Sequence, residues 1–288
     1  MQHKNSLEKA NQVLAQYAVN LGDPVYPGPD EVKKTLAEFE FRQTHDSFFL
    51  YFDVRQSRIK RVGSNLKKVL GISHLDWEGW MGLIHPDFVS IYTEFGFAAY
   101  QASLKYAKEI KETNASYSIN LPLQRTFPDG TKEYWLVKQS AYPFEFDANG
   151  MMVSHLNTYT LISRFDQYTP MQPFVLFDYE TQDEVGAEIR ALTRKSVMGL
   201  FYPQLATRHQ TTLLSYWEEF SKFKFDLAPM PNSLSIAEQL KKSQQTILDY
   251  NKAILEASRE SFPLSEFTDI RSVVSFLFHL FGPVHQGK

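Results

Sequence analysis

Every stretch of this 288-residue chain that reads as a β-strand lies before residue 165, and no strand signal remains from Ala187 onward. Ser47 to Val54 (SFFLYFDV) is aromatic and β-branched, and Arg55-Gln56-Ser57 turns it into a second run, Arg58 to Val62. Residues 65–112 carry helical periodicity and end in a long stretch, Phe88 to Thr113. Three strand-like runs follow: Ala115 to Phe127, Thr131 to Phe146 and Met151 to Ser163. Pro128-Asp129-Gly130 joins the first pair and Asp147-Ala148-Asn149-Gly150 the second, both with hairpin-turn chemistry. The order predicts an α+β domain over 45–165, a five-stranded antiparallel sheet with helices on one face.

The flanking segments divide the rest. Residues 1–44 read as an N-terminal helical extension. Leu7, Ala10, Leu14, Tyr17 or Ala18, and Leu21 share one helical face, expected to pack on its own domain. Gly22 to Pro29 is dense in Gly and Pro and reads as a loop, and Asp30 as the N-cap of a helix from Glu31 to about Arg42. Residues 166–186, with Pro170 and Pro173, are the linker candidate, and 187–288 an all-α domain. Helical patterns there cover about 187–200, 207–223, 233–241, 244–261 and 268–281, the last closed by Gly282-Pro283.

Composition excludes several functions. With no cysteine there is no disulfide framework, thiolate nucleophile or zinc–thiolate site. A formal charge of −3 excludes a strongly basic body. The longest apolar stretch, Val273 to Val284, is broken by Ser275, His279 and Gly282 and is too short to span a bilayer. Met1-Gln2-His3-Lys4-Asn5 opens without the apolar core of a signal peptide. A soluble cytoplasmic protein is expected, with no membrane association.

Two sets of motifs resemble known families. Val62-Gly63-Ser64-Asn65-Leu66 with Val69-Leu70-Gly71, then Trp80 and Leu83-Ile84-His85-Pro86-Asp87, then Asp129-Gly130 before Tyr134-Trp135, and Phe146-Asp147-Ala148-Asn149-Gly150, stand in the order of a PAS sensory domain. The resemblance covers about residues 45–165. It implies Asn65 as a helix cap, Pro86 just inside a long helix, and His85 in structural hydrogen bonds rather than on a metal or haem. It also implies a cavity between sheet and helices, the usual place for a small ligand. Phe49, Tyr51, Trp135, Val137 and Tyr159 are the strand residues that could line it; the alternative is that these aromatics simply fill the core. No resident cofactor is expected, only an unidentified small molecule, and no metal.

Ile236-Ala237-x-x-Leu240-x-x-Ser243-x-x-Thr246-Ile247-x-x-Tyr250-x-x-x-Ile254 resembles the helix-turn-helix of LuxR-type transcription regulators, at matching offsets. Ile236, Ala237 and Leu240 would face inward, Ser243 would cap the second helix, and Ile247 and Ile254 would anchor it. The resemblance implies DNA contacts from Lys241, Lys242, Ser243, Gln244, Gln245, Thr246, Asp249, Tyr250 and Lys252, with Gln suited to adenine edges and Thr, Tyr and Lys to phosphates. It implies a homodimer on a two-fold site. Leu205, Arg208 and Leu213-Leu214 loosely resemble the family's opening motif.

The departures matter. His209 replaces the family's usual Glu, Lys242 an apolar residue, and Leu248 a frequent basic residue; Asp249 would repel phosphate. An aromatic insertion holds Trp217, Phe220, Phe223 and Phe225. From Arg208 to Lys288 nine Lys and Arg balance nine Asp and Glu, a poor footprint for phosphate neutralisation. The helix at 268–281 has an apolar face (Ile270, Val273, Val274, Leu277, Leu280, Phe281) fit for a dimer seam or for its own domain.

The leading expectation is a PAS-containing transcription regulator that couples a small-molecule or partner signal to DNA binding. The alternative is a signalling or scaffold protein whose degenerate helix-turn-helix binds proteins and not DNA. No phosphate loop, dinucleotide glycine motif, nucleophile elbow or two-histidine metal motif is present, so enzymatic activity is not expected.

Overall fold

In the computed structural model, which describes residues 2–105, 116–165, 175–177, 199, 205–222, 231–263 and 265–281, strand β2 (Ser47–Asp53) is buried from Phe48 to Asp53. A continuous apolar strand of this kind must be covered on both faces, because alternate side chains point opposite ways. Phe48, Leu50 and Phe52 face one side and Phe49 and Tyr51 the other, each 5% exposed or less. Full burial of a Phe or Leu side chain contributes roughly 1.5–3 kcal/mol, so this strand anchors two cores.

The first compact unit takes in the described residues up to 165 together with 175–177. Its antiparallel sheet adds β1 (Pro24–Tyr26), β3 (Arg58–Val62), β4 (Ser116–Thr126), β5 (Lys132–Asp147), β6 (Met152–Arg164) and β7 (Val175–Phe177). The strand order is β3-β2-β6-β5-β4-β7, with β1 beside the end of β5. The five expected strands are all present, in antiparallel pairs. Two three-residue strands correct the expectation. Gly22 to Pro29 is not wholly loop, because the Gly22 N–H donates to the buried Asp147 carboxylate at 2.9 Å and Pro24 and Tyr26 pair with Asp147 and Phe146. Val175–Phe177, inside the expected linker, pairs with Ser116 to Ser118 of β4.

Both hairpin turns form as their residues dictate. Gly130 and Gly150 sit at φ 86° and 78°, where a side chain would be strained. Asp129 Oδ1 accepts from the Thr131 N–H at 2.9 Å, and Asp147 Oδ1 accepts from the N–H groups of Asn149 and Met151.

Helices lie on both sides of the sheet, not one. α2 (Pro29–Arg42) brings Leu36, Val32 and Phe39 onto Phe49, Tyr51, Phe144 and Leu156. It begins at Pro29 with Gly28 at the N-cap, so Asp30 is a first-turn acid and not the cap. On the opposite side lie α1 (Gln2–Ala18), α4 (Trp77–Leu83) and α5 (Pro86–Lys105). α1 is part of this unit: Ala10, Leu14 and Tyr17 are buried, the Tyr17 hydroxyl donates to the Met152 carbonyl at 3.3 Å, and Lys9 pairs with Glu94. α5 starts at Pro86 as expected. His85 Nδ1 accepts from the Asp87 N–H at 3.3 Å, and its ring packs 4.5 Å from that of Tyr134.

The short α3 (Leu66–Leu70) departs in its cap. Asn65 holds the N-cap position without capping; its amide donates instead to the Thr44 carbonyl at 2.6 Å. Gly71 ends this helix at φ 76°, and a Cβ there would lie 1.8 Å from the Thr126 carbonyl oxygen.

The second unit, described over 205–281, is helical: α6 (Thr207–Lys222), α7 (Ser233–Leu240), α8 (Gln244–Ser261) and α9 (Ile270–Phe281). Trp217 of the aromatic insertion is 1% exposed and belongs to the core; Phe223 and Phe225 lie outside the described residues. The apolar face of α9 is occupied within the unit, with Val273, Val274, Leu277 and Phe278 buried. The Phe220 and Phe278 rings meet edge to face at 4.8 Å. The pattern at 187–200 lies outside the described residues except residue 199.

Gly71 yields a direct test. Gly71→Ala combines left-handed strain with a backbone clash, and should destabilise the first unit by about 3 kcal/mol or more in denaturant unfolding. A loss below about 1 kcal/mol would contradict the close approach to Thr126.

Candidate functional site

Two places gather functional chemistry, one in each unit. The first is a cavity between the sheet and α1, α4 and α5, of ≈ 50 Å³ counted as space open to the centre of a water molecule. α1 contributes Ala10, Val13 and Leu14 to its wall, so the N-terminal helix is part of the enclosure. Aromatic rings dominate elsewhere, with Phe52, Trp77, Trp80, Tyr92 and Tyr100 among them. Of the five residues expected to line such a cavity, only Tyr159 does.

The other four are placed elsewhere. Phe49 and Tyr51 point to the opposite face of β2, under α2; their neighbours Leu50 and Phe52 reach the cavity. Val137 is fully buried, two residues before Gln139 on β5, and stays outside the wall. Trp135 lies near the start of β5 against Phe127, with the Arg125 guanidinium 5.0 Å from its ring centroid. Tyr51 belongs to a polar cluster beneath the sheet. Its hydroxyl donates to Glu145 and accepts from Lys60 Nζ at 3.0 Å, and burial first, then Glu145, pushes the phenol up to about 12.

The polar groups of the cavity are neutral. Its wall carries no Asp, Glu, Lys or Arg. His155 Nδ1 lies 3.0 Å from Asn157 Oδ1, and its Nε2 lies 3.5 Å from the Tyr100 hydroxyl. Nδ1 therefore carries the proton and donates to the amide oxygen, leaving Nε2 to accept. Burial pushes the imidazole down to about 4, opposed by Asn157. Gln139 is 1% exposed and its Oε1 is buried without a hydrogen-bond partner. Sequence reasoning missed Gln139, His155 and Asn157, because polar residues on a strand read as its solvent face.

The second place is the turn between α7 and α8. Asn232 caps α7, its Oδ1 accepting from the N–H groups of Leu234 and Ser235 at 3.0 Å. Ile236 and Ala237 are buried, as expected. Lys241 ends α7 in the left-handed region at φ 52°, and the Lys242 N–H closes the turn onto the Ala237 carbonyl at 2.9 Å. Ser243 caps α8, its Oγ accepting from the Thr246 N–H at 3.1 Å, an interaction of about 1 kcal/mol. Ile247 and Ile254 are fully buried and set the rotation of α8.

That rotation decides what remains outside. Lys241, Lys242, Ser243, Gln244, Gln245, Asp249 and Lys252 are exposed; Thr246 and Tyr250 are half-buried. Gln245, Asp249 and Lys252 share a stripe at helical spacing, with the 45%-exposed Leu248 beside them. Asp249 is partnered, accepting from Gln245 Nε2 at 3.1 Å. Gln244 Nε2 donates to Ser233 Oγ at 3.1 Å. Thr246 Oγ1 lies 2.7 Å from Ser243 Oγ, so this hydroxyl supports the cap. Tyr250 packs 4.9 Å from the His209 ring, and the Arg208 guanidinium lies 5.5 Å from its centroid. Burial and the Arg208 charge push the His209 imidazole down. Arg208 thus adds a cation to the Lys241, Lys242 and Lys252 set, a contribution visible in sequence only as a loose motif position 42 residues before Tyr250.

Among the described residues no group of three or more His, Cys, Asp or Glu stands where it could hold a metal ion, and no helix is long and apolar enough to cross a membrane.

No protein-family model matches the chain, and no curated protein matches it. Solved structures similar to it include VqmA bound to DPO, at 12% identity and a TM-score of 0.24 over 88% of this chain and 92% of that one. Another is the Vibrio cholerae VqmA dimer in the absence of target DNA, at 12% identity and a TM-score of 0.23 over 85% and 86%. A Vibrio cholera VqmA–ligand–DNA complex gives 14% identity and a TM-score of 0.23 over 87% and 88%. Likenesses at these TM-scores leave fold and function to be argued from the residues of the chain itself.

His155 sets a pH dependence. Its folded value of about 4 lies below the ordinary 6.5, so the unfolded chain takes up the proton first as pH falls. Its contribution is complete above pH 6.5 and is lost as pH falls through 4, an amount of roughly 3 kcal/mol. Chemical unfolding at a series of pH values should show His155→Gln losing that part of the slope between pH 6.5 and 4. An unchanged slope would contradict the neutral, buried imidazole.

Proposed function

We propose that the chain is a transcription regulator in which a PAS-type sensor unit, responding to a small molecule, controls DNA binding by a LuxR-like helix-turn-helix. The observation that carries the DNA-binding part is the exposed stripe of α8, behind a Ser243-capped N-terminus and a tight turn bearing Lys241 and Lys242. A helix anchored from below and polar at its outward N-terminal end is the form that enters a major groove. Gln245 is the base-reading candidate: Asp249 holds one of its N–H groups and leaves the other and Oε1 for an adenine edge. Arg208, Lys241, Lys242 and Lys252 would take phosphates. The sensing part is supported by the enclosed, apolar cavity of the first unit. The reading implies a homodimer acting in the cytoplasm, with no catalytic activity and no resident cofactor.

A second reading has its own support. The formally neutral stretch from Arg208 to Lys288, and Leu248 exposed beside Asp249, also suit a scaffold that binds a protein through this surface.

Fluorescence anisotropy against source-genome fragments across a salt series separates them. Four phosphate contacts per protomer correspond to a slope of log K against log salt of about −3.6. Gln245→Ala should weaken the preferred fragment by about tenfold while leaving non-specific binding in place. Absence of binding at low salt by the folded protein, in the presence of the sensed molecule as well as without it, would favour the scaffold reading.

A further inference from the structure

We propose that the cavity of the first unit takes an uncharged, ring-sized molecule carrying one N–H or O–H donor, which it presents to the Gln139 side-chain carbonyl. The inference rests on reading that unit as a ligand sensor and names the chemical class it senses. Gln139 supplies the polar specificity. It lies on the cavity wall, 1% exposed, with Oε1 unpartnered. Its amide is engaged by the Tyr92 hydroxyl, which also accepts from Trp80 Nε1 at 3.3 Å. The oxygen is thus the end left over, and a buried acceptor without a donor is costly to leave unmade.

Charge excludes whole classes. With no ionisable side chain on the wall other than the neutral His155 and the tyrosines, a carboxylate, phosphate or ammonium would be buried without a counter-charge. Free amino acids, nucleotides and organic acids are therefore excluded. Size excludes others: ≈ 50 Å³ is several times the roughly 10–15 Å³ that one water needs, and too little for a tetrapyrrole, a flavin or a long acyl chain. The flat walls, with Phe52, Trp80 and Tyr159 among them, favour a ring over a branched aliphatic.

The test is a fluorine NMR titration of the full chain at pH 7.5 with three probes of one size: 4-fluorophenol, 4-fluorotoluene and 4-fluorobenzoate. The phenol should saturate and bind about tenfold more tightly than the toluene, and the benzoate should not saturate. Gln139→Leu and Gln139→Met should bring phenol and toluene to within about twofold of each other, with the thermal unfolding transition retained. Where the variants fail to fold, the comparison of the three probes on the wild-type protein decides. Equal affinity for phenol and toluene, preference for the benzoate, or no saturable phenol binding would overturn the inference, the last meaning that water alone fills the site. DNA affinity measured on the same samples separates the two levels. Phenol binding that leaves DNA affinity unchanged supports the ligand class and contradicts the coupling of sensor to DNA. DNA binding without any phenol binding overturns the ligand class and leaves the helix-turn-helix reading standing.

Discussion

Strand β2 cannot be left open on either side, and the first unit is organised by that constraint. Phe48, Leu50 and Phe52 need cover from α4, α5 and α1, while Phe49 and Tyr51 need cover from α2. The N-terminal helices α1 and α2 are consequently not an appendage; they complete the two cores on which the sheet depends. The side covered by α1 also encloses the cavity, so the same packing that stabilises the fold leaves a dry, aromatic space with polar groups only on the strands. The side covered by α2 holds Lys60, Asp53, Glu145 and Tyr51 in mutual contact, where Lys60 Nζ lies 3.2 Å from Asp53 and 3.7 Å from Glu145. A buried cluster of this kind adds less to stability than its contacts suggest, since its charges are drawn out of water.

The second unit works by a different economy of residues. Two buried isoleucines on α8 set which of its side chains face outward, and the caps at Asn232 and Ser243 satisfy backbone donors that would otherwise be orphaned. Much of the polar outer surface is already engaged internally. Gln245 holds Asp249, Gln244 reaches Ser233, and Thr246 supports the cap. Held side chains lose less freedom on contact with a partner, which favours selectivity. The pairing of Asp249 with Gln245 also changes the meaning of that acid: it positions an amide as well as opposing phosphate.

Local chemistry was legible in the sequence wherever one residue type had one use. The hairpin glycines Gly130 and Gly150, Pro86 at a helix start, and the Ser243 cap all stand where their backbone preferences put them. The side of a strand was not legible. Alternation separates Phe49 and Tyr51 from Leu50 and Phe52, but both sets are apolar, and only the position of α2 shows which faces the cavity. Trp135 and Val137 were misjudged for the same reason. The short strands β1 and β7 escaped because three residues carry no period, and their pairing is decided by distant partners, the Asp147 carboxylate and the start of β4. Gln139, His155 and Asn157 were hidden because a buried polar strand residue looks like an exposed one until its neighbours are known.

The central claim, that α8 and the turn before it meet DNA, is open to direct mapping. Hydrogen–deuterium exchange of the full chain, alone and with a saturating genomic fragment, reads the contact surface without any substitution. The account requires slowed exchange concentrated over residues 241–249 and around Arg208. Bound DNA that leaves 241–249 unchanged, with slowing confined to α9 or to the first unit, would contradict it.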